Sequence, residues 1–100
     1  WHGNVCRGFH IHVTDPGVYR PYYTSLLLLQ SIIRHHANEF QFSSPPYEYE
    51  YEKMPIDLIL GSKRLRQDIS DLIDIDILSD GWQKDLEDFA SLSKGYHLYD

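Results

Sequence analysis

The run Tyr47-Glu48-Tyr49-Glu50-Tyr51-Glu52 sets three glutamates in strict alternation with three tyrosines. If the run is extended, the glutamates share one face at roughly 6–7 Å between neighbours. That spacing overlaps the carboxyl separations of glycosidases. Two requirements of the chemistry are unmet. Catalytic carboxyls flank the scissile bond from opposing sides, whereas neighbours on one strand approach from the same side. One of them must also be buried enough to keep its proton near neutral pH, and the face suited to burial here is the tyrosine one. The ladder therefore reads as the wet side of a strand, and no catalytic residue is assigned.

His10 and His12 would place two imidazoles on one strand face, with Asp15 close behind. A zinc site needs a third ligand and, for catalysis, an open position. His35 and His36 are adjacent on an expected helix and point about 100° apart, so they do not complete the set. Asp71, Asp74, Asp76 and Asp80 suggest calcium, but in a loop starting at Asp74 the fifth position is Leu78 and the sixth is Ser79 instead of Gly. The calcium pattern fails, and a solvated acidic face is the better reading. Neither a nucleophile elbow nor a phosphate-cradling glycine loop occurs. No metal and no cofactor are expected.

These side chains need elements to hold them. Val5, Arg7, Phe9, Ile11 and Val13 alternate with Cys6, Gly8, His10, His12 and Thr14, which predicts a strand. Asp15-Pro16-Gly17 is a turn. Pro21 opens a helix through His36, with Tyr22, Leu26, Leu29 and Ile33 at helical spacing. A Ser- and Pro-containing loop, 38–46, leads to a second strand at 47–52. Pro55 to Leu60 is a short helix stopped by Gly61, and Ser62 caps the next, with Leu65 and Ile69 facing inward. In the segment 71–81, Ile73, Ile75 and Ile77 alternate like a strand while Ile75, Leu78 and Trp82 fit a helical face, and the short helix is favoured. Asp80 reads as the cap of another helix carrying Trp82, Leu86, Phe89 and Ala90 and ending at Gly95. The tail 96–100 is extended. The order predicts an α+β domain, a few β-strands with four to five helices packed on them.

One hundred residues suit one domain with a single modest core. The net charge is −6 with only 9 basic residues and no basic stripe, which argues against nucleic acid. Lys63, Arg64 and Arg66 read as the solvated side of a helix. The single cysteine, Cys6, excludes an internal disulfide within these residues and reads as a small buried hydrophobe. The longest apolar run, Leu26 to Leu29, is far too short for a membrane span. Without an initiator Met, the chain reads as a piece of a longer protein.

Three blocks then carry a resemblance: CRGFHIHVTDPGVYRPYYTSLLLLQSI, YEKMPIDLILGSKRLRQDI and GWQKDLEDFASLSKGYHLYD. In this order they resemble the C-terminal domain of bacterial exo-β-N-acetylmuramidases of the NamZ type. The resemblance implies that residues 1–100 are a single C-terminal auxiliary domain, preceded in the parent protein by a Rossmann-like catalytic domain. It implies a peptidoglycan-degrading parent that releases N-acetylmuramic acid from non-reducing ends, in a cleft between the two domains. The catalytic glutamate would belong to the other domain, so this one is not expected to catalyse alone. An exported, periplasmic or extracellular site follows from such a substrate, with cytoplasmic recycling as the alternative.

The segment expected to reach that cleft is His12, Thr14 and Asp15 with Tyr19 and Arg20. A rigid strand ending at a turn holds side chains yet leaves them reachable. N-acetylmuramic acid bears a lactyl carboxylate, which a guanidinium fork fits bidentately. Arg20 is assigned that contact, Tyr19 a stacking face and Asp15 an acceptor for a hydroxyl. The competing reading pairs Arg20 with Asp15 to pin the turn. At the level of the domain, the alternatives are a purely structural docking module and a His-based metal-binding domain built on His10, His12 and Asp15.

Overall fold

The computed structural model describes residues 2–99. Its regular elements are α1 (Pro21–His35), α2 (Pro55–Leu60), α3 (Lys63–Ser70), α4 (Ile75–Ser93) and a 3-10 turn at Lys94–Tyr96. Local chemistry explains most of the boundaries. Pro21 and Pro55 occupy first turns, where the missing N–H costs nothing. Gly61 ends α2 in the left-handed region at φ 73°. The Ser62 hydroxyl accepts from the Leu65 N–H at 3.2 Å and caps α3. At the other end of α3, the N–H of Leu72 reaches the Ile69 carbonyl and that of Ile73 reaches Asp68. That is a Schellman closure made with a leucine at φ 58° where glycine is the unstrained residue.

The core is small. Leu26 and Ile33 of α1, Ile69 of α3 and Ile75 of α4 are buried, with Tyr23, Leu29, Phe40, Phe42, Leu60, Leu65, Leu78 and Trp82 packed partly around them. Gln30 is buried among these and donates to the Ile73 carbonyl at 2.6 Å, which ties α1 to the α3–α4 connection. α1 therefore lies against both α3 and α4, and α2 against α3.

The α+β expectation is overturned: among the described residues there is no strand and no sheet, only an isolated bridge between Tyr47 and Glu50. The reason is pairing. A strand needs a neighbour for its backbone groups, and the two period-two segments do not meet. Residues 5–13 are non-helical, exposed and without main-chain hydrogen bonds to any described residue. Residues 47–50 fold on themselves: Glu48 takes φ 52°, and the N–H groups of Tyr47 and Glu50 donate to each other's carbonyls at 2.9 and 3.0 Å. The tyrosines are not an inner face, since Tyr49 is 93% and Tyr51 71% exposed. Cys6 is likewise exposed instead of buried.

Two further expectations change. α4 runs unbroken through Asp80 and Gly81, and its cap is Asp74, whose carboxylate accepts from the Asp76 N–H at 2.8 Å. Extending a helix already anchored by Ile75 through one glycine costs about 1 kcal/mol, less than nucleating a new one. Arg66 is not on a solvated face: it turns in to make a two-pronged contact with Asp57 at 2.5 and 3.3 Å, bracing α2 on α3. In the tail, His97 to Tyr99 are exposed and non-helical, and Asp100 lies outside the described residues.

The Asp57 and Arg66 side chains are only 13% and 16% exposed. Removing one partner strands the other charge, whereas replacing both with apolar groups does not. Asp57→Ala is expected to cost about 2 kcal/mol, less than for a fully buried pair because some solvent remains. Urea unfolding checks this, and Asp57→Leu with Arg66→Met should restore most of the loss.

Candidate functional site

The turn before α1 is built by its own side chains. One Asp15 carboxylate oxygen accepts from the Gly17 N–H at 2.8 Å. A Cβ on Gly17 would sit 3.2 Å from that oxygen, so the tight turn favours glycine. From there Val18, Tyr19 and Arg20 lead directly into α1, whose first turn is closed by the Thr24 N–H on the Arg20 carbonyl at 2.9 Å.

Arg20 reaches back over the helix it precedes. Its guanidinium carbon lies 4.4 Å from the centre of the Tyr23 ring, one turn along α1. One terminal nitrogen donates to the Ser79 hydroxyl on α4 at 2.5 Å, and Ser79 is buried. Tyr23 in turn donates its phenolic proton to Asp76, at the start of α4, at 2.6 Å. The arginine is thus held by a ring face and a hydroxyl, both neutral. It makes no ion pair with Asp15, whose carboxylate serves the turn, so the reading in which those two pin each other does not describe this structure. The result is a cation fixed on two sides with donors to spare, which is what a planar anion requires.

His12, Thr14, Asp15, Tyr19 and Arg20 all line one open pocket of about 380 Å³, with Tyr23 and Thr24 forming its α1 side. Tyr23, Asp76 and Ser79 escaped sequence reasoning. Tyr23 could have been found from its i+3 spacing to Arg20; Asp76 and Ser79 are more than fifty residues away and carry no local signal. The rings of His10 and His12 lie 6.2 Å apart. Among the described residues no group of three or more His, Cys, Asp or Glu could hold a metal ion.

A larger groove of about 660 Å³ shares none of these residues. Its walls include Leu60, Leu65, Leu78 and Leu86 beside Tyr22 and Trp82, whose rings meet at 5.7 Å and 60°. Burial there raises the Tyr22 phenol above its ordinary value. In the glutamate ladder, by contrast, Glu50 is held as the anion. Glu50 is lowered from the ordinary carboxylate value, first by the N–H of Glu52 and then by that of Lys53. A glycosidase acid needs the opposite shift.

Residues 1–99 match the model of the family described as exo-β-N-acetylmuramidase NamZ, C-terminal. The chain belongs to this family. No curated protein and no solved structure gives a significant match. Membership bears out the resemblance carried by the three sequence blocks. It makes the chain a domain of a peptidoglycan-degrading muramidase, and a NamZ C-terminal domain implies an N-terminal catalytic domain in the same protein. No described helix is long and apolar enough to cross a membrane.

The Tyr23 phenol is raised from its ordinary value, chiefly because it donates to Asp76, with burial and the Asp76 charge adding. A raised phenol contributes stability that is complete below its unfolded value, about pH 10, and is lost as pH climbs through the folded value. Stability followed by denaturant unfolding should therefore fall above about pH 10. Tyr23→Phe should be less stable at neutral pH and lack that part of the alkaline loss.

Proposed function

We propose that this domain forms one wall of the substrate cleft in a two-domain exo-β-N-acetylmuramidase, and that Arg20 recognises the lactyl carboxylate of N-acetylmuramic acid. The supporting observation is the placement of Arg20. It is braced by Tyr23 and Ser79, forms no ion pair with a carboxylate among the described residues, and borders an open pocket. A guanidinium free to move would lose side-chain entropy on binding; one already held loses less.

In this reading the lactyl carboxylate accepts from the guanidinium N–H groups not used by Ser79. The Asp15 oxygen not used by Gly17 accepts from a sugar hydroxyl, and Tyr19 offers a face to the ring. His12 and Thr14 add polar groups along the same wall. Hydrolysis itself falls to the N-terminal domain, which supplies the catalytic glutamate. The substrate is peptidoglycan fragments ending in N-acetylmuramic acid, so the parent protein acts outside the cytoplasm, in the periplasm or beyond, with cytoplasmic recycling of such fragments as the alternative. Binding through the carboxylate also selects N-acetylmuramic acid over N-acetylglucosamine, which lacks that group.

A structural reading has one observation in its favour: the Arg20–Ser79 contact joins the segment before α1 to α4. Kinetics separate the two. In the two-domain protein, Arg20→Ala should raise KM and lower kcat/KM on a chromogenic N-acetylmuramic acid glycoside by about 10- to 100-fold, the worth of a charge-assisted hydrogen bond. Arg20→Lys should recover part of it, as charge without the fork. Unchanged kcat/KM alongside a lowered melting temperature would leave only the structural role.

A further inference from the structure

Residues Val5 to Val13 have the pattern of a strand and the environment of none. Val5, Arg7, Phe9, Ile11 and Val13 form one row, with Cys6, Gly8, His10 and His12 on the other. The apolar members of the first row stand open: Val5 is 92%, Phe9 68%, Ile11 52% and Val13 45% exposed. No N–H or C=O in the stretch bonds to the main chain of any described residue. The radius of gyration, 17.1 Å, exceeds the roughly 13 Å of a compact chain of this length. A β-branched and aromatic alternation left unpaired in this way conflicts with the consistency between local pattern and fold that sequences usually show.

We infer that this segment is an added strand, completed by hydrogen bonding to an open sheet edge in the N-terminal domain of the same protein. A free backbone row is recognised by another free backbone row, with alternate side chains packing on the partner's apolar face. The occupant follows from where the arm lies. It precedes α1 and the turn before it, and so is the part of the domain nearest in chain order to the domain that precedes a NamZ C-terminal domain. Tethering makes the contact intramolecular, so a nine-residue arm can hold without large intrinsic affinity. The chain's own tail is a poorer partner, since His97 to Tyr99 are exposed and make no bond to the arm. Ile11, His12 and Val13 also line the pocket beside Arg20, so a docked arm brings that wall to the domain boundary. The inference rests on family membership and not on the Arg20–carboxylate contact.

Strand addition leaves a specific signature. Successive residues of a strand direct their N–H groups to opposite edges, so pairing along one edge protects every second amide. Residue-resolved hydrogen exchange on the intact two-domain protein, without substrate, tests this. Amides of one parity between Val5 and Val13 should exchange about 100-fold more slowly than their neighbours, equally at low and high protein concentration. Uniformly fast exchange, or protection of consecutive amides, would overturn the inference. So would slowing that grows with concentration, which marks a second copy, or matching protection along His97 to Tyr99, which marks the chain's own tail. No substrate is involved, so failure here is separate from failure of the Arg20 assignment.

Discussion

Leu26, Ile33, Ile69 and Ile75 are the apolar side chains that α1, α3 and α4 bury in common. Each buried side chain of this kind contributes about 1.5–3 kcal/mol, and so few of them leave the relative placement of the helices underdetermined. Hydrophobic contact is non-directional; it gathers the helices but does not set their register. Directional polar links supply that. Gln30 fixes α1 to the Ile73 carbonyl, Asp57 and Arg66 brace α2 on α3, and Arg20 and Tyr23 hold α1 to the first turns of α4.

The last of these links also borders the candidate site. Ser79 and Asp76 are presented by α4 because Asp74 caps the helix and Ile75 anchors its start in the core. Tyr23 lies one turn beyond Arg20 on α1. The same contacts that seat α1 on α4 therefore orient a guanidinium beside the pocket formed by the turn at Asp15. The proposed recognition would share residues with the packing of α1 on α4, which is why a change at Arg20 must be read in kinetics and stability together. The glutamate ladder has no comparable support. It closes on itself through backbone contacts, and its best-held carboxylate is stabilised as the anion.

Local signals were legible in the sequence. Pro21, Pro55, Gly61 and Ser62 each mark a boundary through backbone chemistry that needs no distant partner. Reading Asp80-Gly81 as a helix start failed because capping residues also tolerate helix interiors when the preceding turn is already anchored. The strands failed for a different reason: alternation states what a segment would do beside a neighbour, and these residues provide none. The site divides along the same line. His12, Thr14, Asp15, Tyr19 and Arg20 lie within nine residues and come together through one turn. Asp76 and Ser79 join them only because a core forms. Family membership was legible because it rests on ordered blocks across the chain and is independent of whether strands are paired.

We propose Arg20 as a carboxylate receptor held ready by Tyr23 and Ser79. The most direct measurement is a crystal structure of the two-domain protein with N-acetylmuramic acid bound. The lactyl carboxylate is expected within about 3 Å of Arg20 guanidinium nitrogens, with the Ser79 and Tyr23 contacts kept. A sugar bound in the cleft with its carboxylate turned to another cation, and Arg20 left against Ser79 alone, would contradict it.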